Sequence, residues 1–171
     1  MDRRRITVLL VEDEEIHRVV ARAVLRAAGV EADEAENGAE AVRRVRERVG
    51  GGGAGAYDLI LTDKQMPVMD GHEATRQIRA MGVTTPIVAV SSDSLPSDVQ
   101  AFIAAGADDF TPKVTIHPIH RINRVLLLMC VPNAHDSRSD RLLMHAHAPI
   151  PCMQPLTKEK LGHILSKFGL A

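Results

Sequence analysis

The chain predicts an α/β fold: five β-α units forming a doubly wound parallel sheet with helices on both faces. Three observations predict it. Short aliphatic runs alternate with amphipathic stretches of helical period along most of the chain, and such alternation builds a parallel sheet. Glycines close two of the helical stretches, Gly29 and Gly106, where a left-handed turn ends a helix. Acidic and polar residues stand just past the strand ends, where an open sheet of this kind carries its chemistry.

Each element has its own signal. Ile6–Val11 is a continuous run of valine, leucine and isoleucine around one threonine, typical of a strand buried on both faces. Glu14–Ala28 places apolar residues at Ile16, Val19, Val20, Ala23, Val24, Ala27 and Ala28, a helical stripe. A weaker strand covers Glu31–Ala35, then Asn37-Gly38, then a helix over Ala39–Val49 with Val42, Val45 and Val49 on one side. Gly50–Gly53 with Gly55 reads as a flexible linker. It lacks the Gly-Lys-Ser/Thr ending of a nucleotide-binding loop. Tyr57–Thr62 is the third strand, Pro67 and Gly71 bracket a turn, and His72–Ala80 is a helix. Pro86–Val90 is the fourth strand, Ser97–Ala105 a helix and Asp109–Thr111 a short fifth strand. Thr157–Phe168 is a last helix carrying Leu161, Ile164, Leu165 and Phe168.

A length of 171 residues suits one domain with an appendage. The net charge of −1 argues against a broadly basic nucleic-acid binder. Only Tyr57, Phe102, Phe110 and Phe168 are aromatic, too few for a stacking platform. Cys130 and Cys152 make no disulfide framework. Ile6–Val11 is short for a signal-peptide core, and Val125–Val131 falls far below the roughly 20 residues of a membrane span. The expectation is a reduced, soluble protein of the cytoplasm, with the nucleus as a second compartment.

The composition is uneven. Val114–Gln154 contains no glycine, glutamate, lysine or aromatic residue, yet holds five of the eight histidines and both cysteines. The flanks carry 17 basic and 20 acidic residues. The chain reads as one acidic domain, residues 1–113 continued at 155–171, interrupted late by 41 foreign residues.

At the strand ends stand Glu12 and Asp13, then Asp63, then Ser91 and Ser92, then Lys113. Clustered carboxylates raise one another's pKa unless a cation joins them, and hard oxygen ligands suit Mg²⁺. A metal on Asp13 and Asp63 could clamp a phosphoryl group against a carboxylate nucleophile. Ser91 could donate to one phosphoryl oxygen and Lys113 neutralise another, which is most of what phosphoryl transfer asks of a protein. A lone acid at a strand end is more often a solvated charge. Glu14 and Glu15 read that way, as first-turn acids of a helix.

Four stretches resemble the receiver domain of two-component response regulators: Val8–Asp13, Asp58–Gly71 with its Asp-x-x-Met-Pro-x-Met-Asp-Gly run, Pro86–Ser91 and Gly106–Lys113. The resemblance implies a flavodoxin-like (βα)5 fold. It makes Asp63 the phospho-acceptor and Glu12 and Asp13 the acidic pair around Mg²⁺, with Asp13 the direct ligand and Glu12 acting through water. It adds the backbone carbonyl of Gln65 as a ligand, Ser91 as switch hydroxyl, Phe110 as the aromatic that follows it, and Lys113 as the phosphate-pairing lysine. Lys64-Gln65-Met66 and Val90-Ser-Ser are most similar to small plant single-domain regulators of the type-C sort. The implied partner is a histidine-phosphotransfer protein or histidine kinase in a cytokinin-type relay. The implied chemistry is autocatalytic phosphorylation and slow self-hydrolysis rather than conventional enzyme turnover. No nucleic acid or membrane is expected as partner, and the chain is expected to be a monomer whose output is partner binding or draining of phosphate.

Receivers of this family follow the lysine with proline, but Val114 follows Lys113 here and Pro155 resumes the pattern. Deleting 114–154 restores Phe-Thr-Pro-Lys-Pro-Leu-Thr. Valine codons begin GT and one glutamine codon is CAG, so the segment reads as a retained intron or gene-model error. Rival readings are a genuine loop and a metal module of His117, His120, Cys130, His135, His145, His147 and Cys152, whose spacing fits no regular zinc pattern. The longer loop costs roughly 2 kcal/mol of closure entropy, but losing the proline turn is expected to free Lys113 and slow or abolish phosphorylation.

Other residues have blander readings. His17 and His72 lie in helices beside the site and read as surface or packing residues. Ile16, Val19 and Val20 read as core, or in part as the patch where a phosphotransfer helix docks. Phe102 reads as core. Two other functions stay open: a phosphorylation-independent interaction module, and an inactive product of the insertion. A haloacid-dehalogenase-type phosphatase needs Asp-x-Asp after the first strand, which Glu12-Asp13-Glu14 lacks.

Overall fold

The computed structural model describes residues 5–50, 56–91, 95–115, 153–154 and 156–170. A five-stranded parallel sheet runs through them: β1 (Thr7–Val11), β2 (Glu31–Ala35), β3 (Leu59–Thr62), β4 (Ile87–Ser91) and β5 (Asp109–Pro112). The strand order is β2-β1-β3-β4-β5. Between and after the strands come α1 (Glu15–Ala27), α2 (Gly38–Gly50), α3 (Gly71–Ala80), α4 (Pro96–Ala105) and α5 (Lys158–Lys167). Every predicted element is present, with ends shifted by at most two residues. This is the flavodoxin-like doubly wound arrangement.

Strand alternation builds two cores. Val8, Leu10, Leu59, Leu61, Val88 and Val90 face Ala21, Val24 and Leu25 of α1 and Leu161, Ile164 and Leu165 of α5. Leu9, Val11, Ile60, Ile87 and Ala89 face α2, α3 and Phe102 of α4. Both strand faces are covered, so the central strands read as unbroken aliphatic runs. β2 is an edge strand with polar residues, which explains its weak signal: Asp33 pairs with Arg48 at 3.0 Å and Glu34 with Arg22 at 2.7 Å. Asp70 caps α3 by accepting from the Glu73 amide at 2.8 Å, and Gly106 closes α4 at φ 105°.

Helix α1 is rotated from the expectation. It buries Ala21, Val24 and Leu25 but also His17 and Arg18, while Ile16, Val19 and Val20 stay half-buried. Both residues make polar contacts with the β1–α1 turn, and the three-residue stripe is only partly core.

Residues 114–115 and 153–154 form an antiparallel neck. β6 (Val114–Thr115) pairs with β7 (Met153–Gln154), with Val114 opposite Gln154 and Thr115 opposite Met153. Residues 116–152 and Pro155 lie outside the described residues, and with them the histidines and cysteines of the metal-module reading and Val125–Val131. Residues 51–55 and Ser92 lie outside as well. Past the neck Leu156 is buried again. Lys160 donates to the Pro112 carbonyl, and Lys167 pairs with Asp109 at 2.8 Å. The final helix therefore docks on the sheet, in keeping with the slow growth of closure entropy with loop length.

Ile60 is almost fully buried on β3 between β1 and β4. Ile60→Ala is expected to lower unfolding free energy by about 2–5 kcal/mol in urea titrations. Val49→Ala, on the exposed side of α2, is expected to change it by less than about 0.5 kcal/mol.

Candidate functional site

The site forms where strand order reverses. β1 and β3 are neighbours with Val11 opposite Thr62, so Glu12 and Asp63 leave the sheet side by side. The Glu12 amide donates to the Ala35 carbonyl at 3.0 Å and the Asp63 amide to the Val11 carbonyl at 2.9 Å, which locks both exits. Across the sheet Ser91 lies opposite Pro112, and the Lys113 amide donates to the Ser91 carbonyl at 2.7 Å. Lys113 is thereby sent back over the strand ends. Its Nζ lies 2.9 Å from Glu12 Oε2 and 2.8 Å from Asp63 Oδ2, and its side chain is only 1% exposed.

Carboxylate oxygens of Glu12, Asp13 and Asp63 all lie within 4.8 Å of one another. They are hard donors around one point, and three carboxylates outweigh the single lysine. That set fits a small divalent cation. The loop after Asp63 is tightly built. The Lys64 amide donates to Asp63 Oδ1 at 2.6 Å, and Lys64 Nζ pairs with Asp98 of α4 at 2.8 Å. A Cβ on Gly71 would sit 2.1 Å from the Asp63 carbonyl oxygen, so only glycine fits there. Val68 has φ 69° and is 86% exposed, an unusual conformation for a β-branched residue.

The family model of the response regulator receiver domain matches residues 8–120. The chain belongs to the response regulator receiver family. A rice (Oryza sativa subsp. japonica) protein, two-component response regulator ORR41, is 55% identical over 173 residues, covering 100% of both chains. The receiver domain of the Arabidopsis thaliana histidine kinase CKI1, solved with Mg²⁺ and BeF₃⁻, shares 39% identity over 63% of this chain and 80% of that one, with TM-score 0.55. A Saccharomyces cerevisiae receiver, that of Ssk1, co-crystallised with the histidine phosphotransfer protein Ypd1, shares 30% identity over 64% and 79%, with TM-score 0.54.

The receiver's acids are held in different states. Burial alone would raise the Glu12 carboxyl, but the His17 hydrogen bond and the Lys113 charge and hydrogen bond outweigh it and hold it below the usual range. Burial and then the Glu12 charge push Asp63 up, and Lys113 only partly offsets them. Burial opposes the charge on Lys113, but the two carboxylates win and raise its pKa.

Of the remaining expected residues, Ser91 is buried at the end of β4. Phe110 is half-buried and tilts against Phe102 at 6.1 Å between ring centroids. Gln65 is exposed on the loop two residues past Asp63. Phe102 is fully buried, as expected, and His72 stacks on it at 3.9 Å, so His72 is a packing residue. His17 is more than that. Its Nδ1 lies 3.0 Å from Glu12 Oε1 and its Nε2 lies 3.5 Å from Glu14 Oε2. Arg18 was given no role by the sequence, yet it is buried and bonds the main chain of the acidic pair. Apolar spacing carries no sign of a cation buried to bind carbonyls. The only cue is its position one turn past Asp13. Among the described residues no helix is long and apolar enough to cross a membrane.

A raised acid pKa favours the neutral form in the folded state. Its stabilising contribution is complete below the unfolded-state pKa and is lost as pH rises through the folded-state value. Asp63→Asn is therefore expected to melt higher than the parent chain at pH 7 in EDTA. The gain should shrink toward zero as pH falls below the usual carboxylate range, and a gain that grows on acidification contradicts this charge balance.

Proposed function

We propose that this receiver accepts a phosphoryl group onto Asp63 from the phosphohistidine of a histidine-phosphotransfer protein or histidine kinase, within a cytokinin-type phosphorelay. The observation that carries the reading is the pairing of a buried Lys113 with Asp63, beside two further carboxylates able to share a cation. A carboxylate oxygen of Asp63 attacks phosphorus, the phosphorus–nitrogen bond breaks, and its electron pair stays on the imidazole. Water later attacks the acyl phosphate, releasing inorganic phosphate and restoring the carboxylate. The chain thus promotes its own modification and its slow reversal, and is not a conventional enzyme.

Asp13 and Asp63, with the Gln65 carbonyl, would hold Mg²⁺, and Glu12 would act through water. Bound there, Mg²⁺ offsets negative charge on the phosphoryl oxygens. Lys113 holds the nucleophile in place and follows its charge onto the phosphoryl group. Ser91 donates its hydroxyl to a phosphoryl oxygen, and Phe110 moves with it as the switch. The half-buried stripe of Ile16, Val19, Val20 and Ala23 on α1 supplies an apolar face beside the site for the phosphotransfer partner, and the yeast complex supports that class of partner. The receiver acts as a monomer in cytoplasm and nucleus, by partner binding or by draining phosphate.

Residues 114–154 are read as a retained intron or gene-model error placed inside one domain. The neck fits an insertion at a single junction, whatever its origin, because it brings the segment's two ends together where Lys113 would otherwise join Pro155. The expected loss of aim at Lys113 is not found. Its amide stays bonded to Ser91 and its ammonium to Asp63 despite Val114. The geometry therefore favours an active long form.

Incubation with phosphoramidate and MgCl₂ is expected to give a hydroxylamine-sensitive phosphate. Asp63→Asn and EDTA should each abolish it; retained labelling of Asp63→Asn would favour a module that works without this chemistry. A chain lacking 114–154 is expected to label at a rate within a few-fold of the full chain. A deficit of about tenfold or more in the long form, about 1.4 kcal/mol in barrier, would restore the view that the insertion damages the site.

A further inference from the structure

We propose that Arg18 is a positioning residue of the cation site, acting on Asp13 through the main chain; this rests on the function proposed above. Arg18 lies on α1, and its side chain is 9% exposed. A guanidinium is costly to bury unless its donors are used. Here one nitrogen, Nη1, donates to the carbonyls of both Glu12 and Asp13, each at 2.7 Å. The Arg18 backbone amide takes the next carbonyl, that of Glu14, at 3.0 Å. Three successive carbonyls of the acidic turn thus converge on one residue. The far side of the fork is anchored to the end of β2, with Nη2 at 3.2 Å from Glu36 and Nε at 3.7 Å from Glu34.

The three acids of the cluster depend unequally on this clamp. Glu12 is held at one oxygen by Lys113 and at the other by His17. Asp63 is held by Lys113 and the Lys64 amide. The carboxylate of Asp13 has no protein partner among the described residues. Its direction follows only from the backbone that carries it, and Arg18 fixes that backbone. No side-chain cap at Glu14 shares the task. The rigid multi-donor fork matters here, because a lysine ammonium cannot span two carbonyls and the β2 carboxylates at once.

The test is a Mg²⁺ titration of the full chain, followed by the amide chemical shifts of residues 12, 13 and 63, beside urea unfolding of the same samples. Arg18→Met is expected to weaken Mg²⁺ binding at least tenfold, the lower end of the usual effect of residues that orient metal ligands. The amide shifts of Glu12 and Asp13 should also move before any metal is added. Arg18→Lys should weaken binding less but measurably, and it serves as the decisive variant if Arg18→Met does not fold. Unchanged Mg²⁺ affinity in the folded variant, even with a lower urea midpoint, makes Arg18 a purely structural residue and overturns the inference alone. A parent chain that binds no Mg²⁺ overturns the inference together with the function beneath it.

Discussion

The ammonium of Lys113 is the contact on which the site depends. It is contributed from beyond β5, yet its partners leave β1 and β3, so one cation spans the carboxyl edge of the sheet. Its burial is offset by carboxylates at hydrogen-bond distance, of which Glu12 is the one held below its usual range. The acids around it divide into two kinds. Glu12, bonded at both oxygens, is held below its ordinary range; Asp63, buried and then beside another negative charge, is held above it.

Most of the architecture was legible because it rests on period. Alternation along β1 assigns Val8 and Leu10 to one core and Leu9 and Val11 to the other, and the helices follow at their own spacing. The acids and the lysine were legible because strand ends converge in this topology. What escaped depends on directions that sequence does not encode. The sequence reads His17 as a surface or packing residue and gives Arg18 no role, but α1 buries both. Val68 adopts a left-handed conformation that pattern reserves for glycine or asparagine, at a cost of order 1–3 kcal/mol. Its loop is fixed from outside, by the Gly71–Asp63 approach and by the Lys64–Asp98 pair.

The interruption shows how local the requirements of the last unit are. Restoring proline was expected to be necessary for aiming the lysine. Instead the lysine is aimed from its amide by Ser91 and from its tip by the acids. The final helix is recovered through its own apolar face and two lysine contacts to β5. Both tasks are met by contacts among the described residues.

The two-rung neck has an evolutionary consequence. It turns one peptide junction into a port, because polypeptide can enter and leave there without either end being pulled from its place. The port opens directly beside the lysine that touches Asp63. A change of chain length at this junction would thus alter what joins the neck rather than the sheet beneath it. A change in the neck would reach the acid cluster through Lys113 without any core residue having to change.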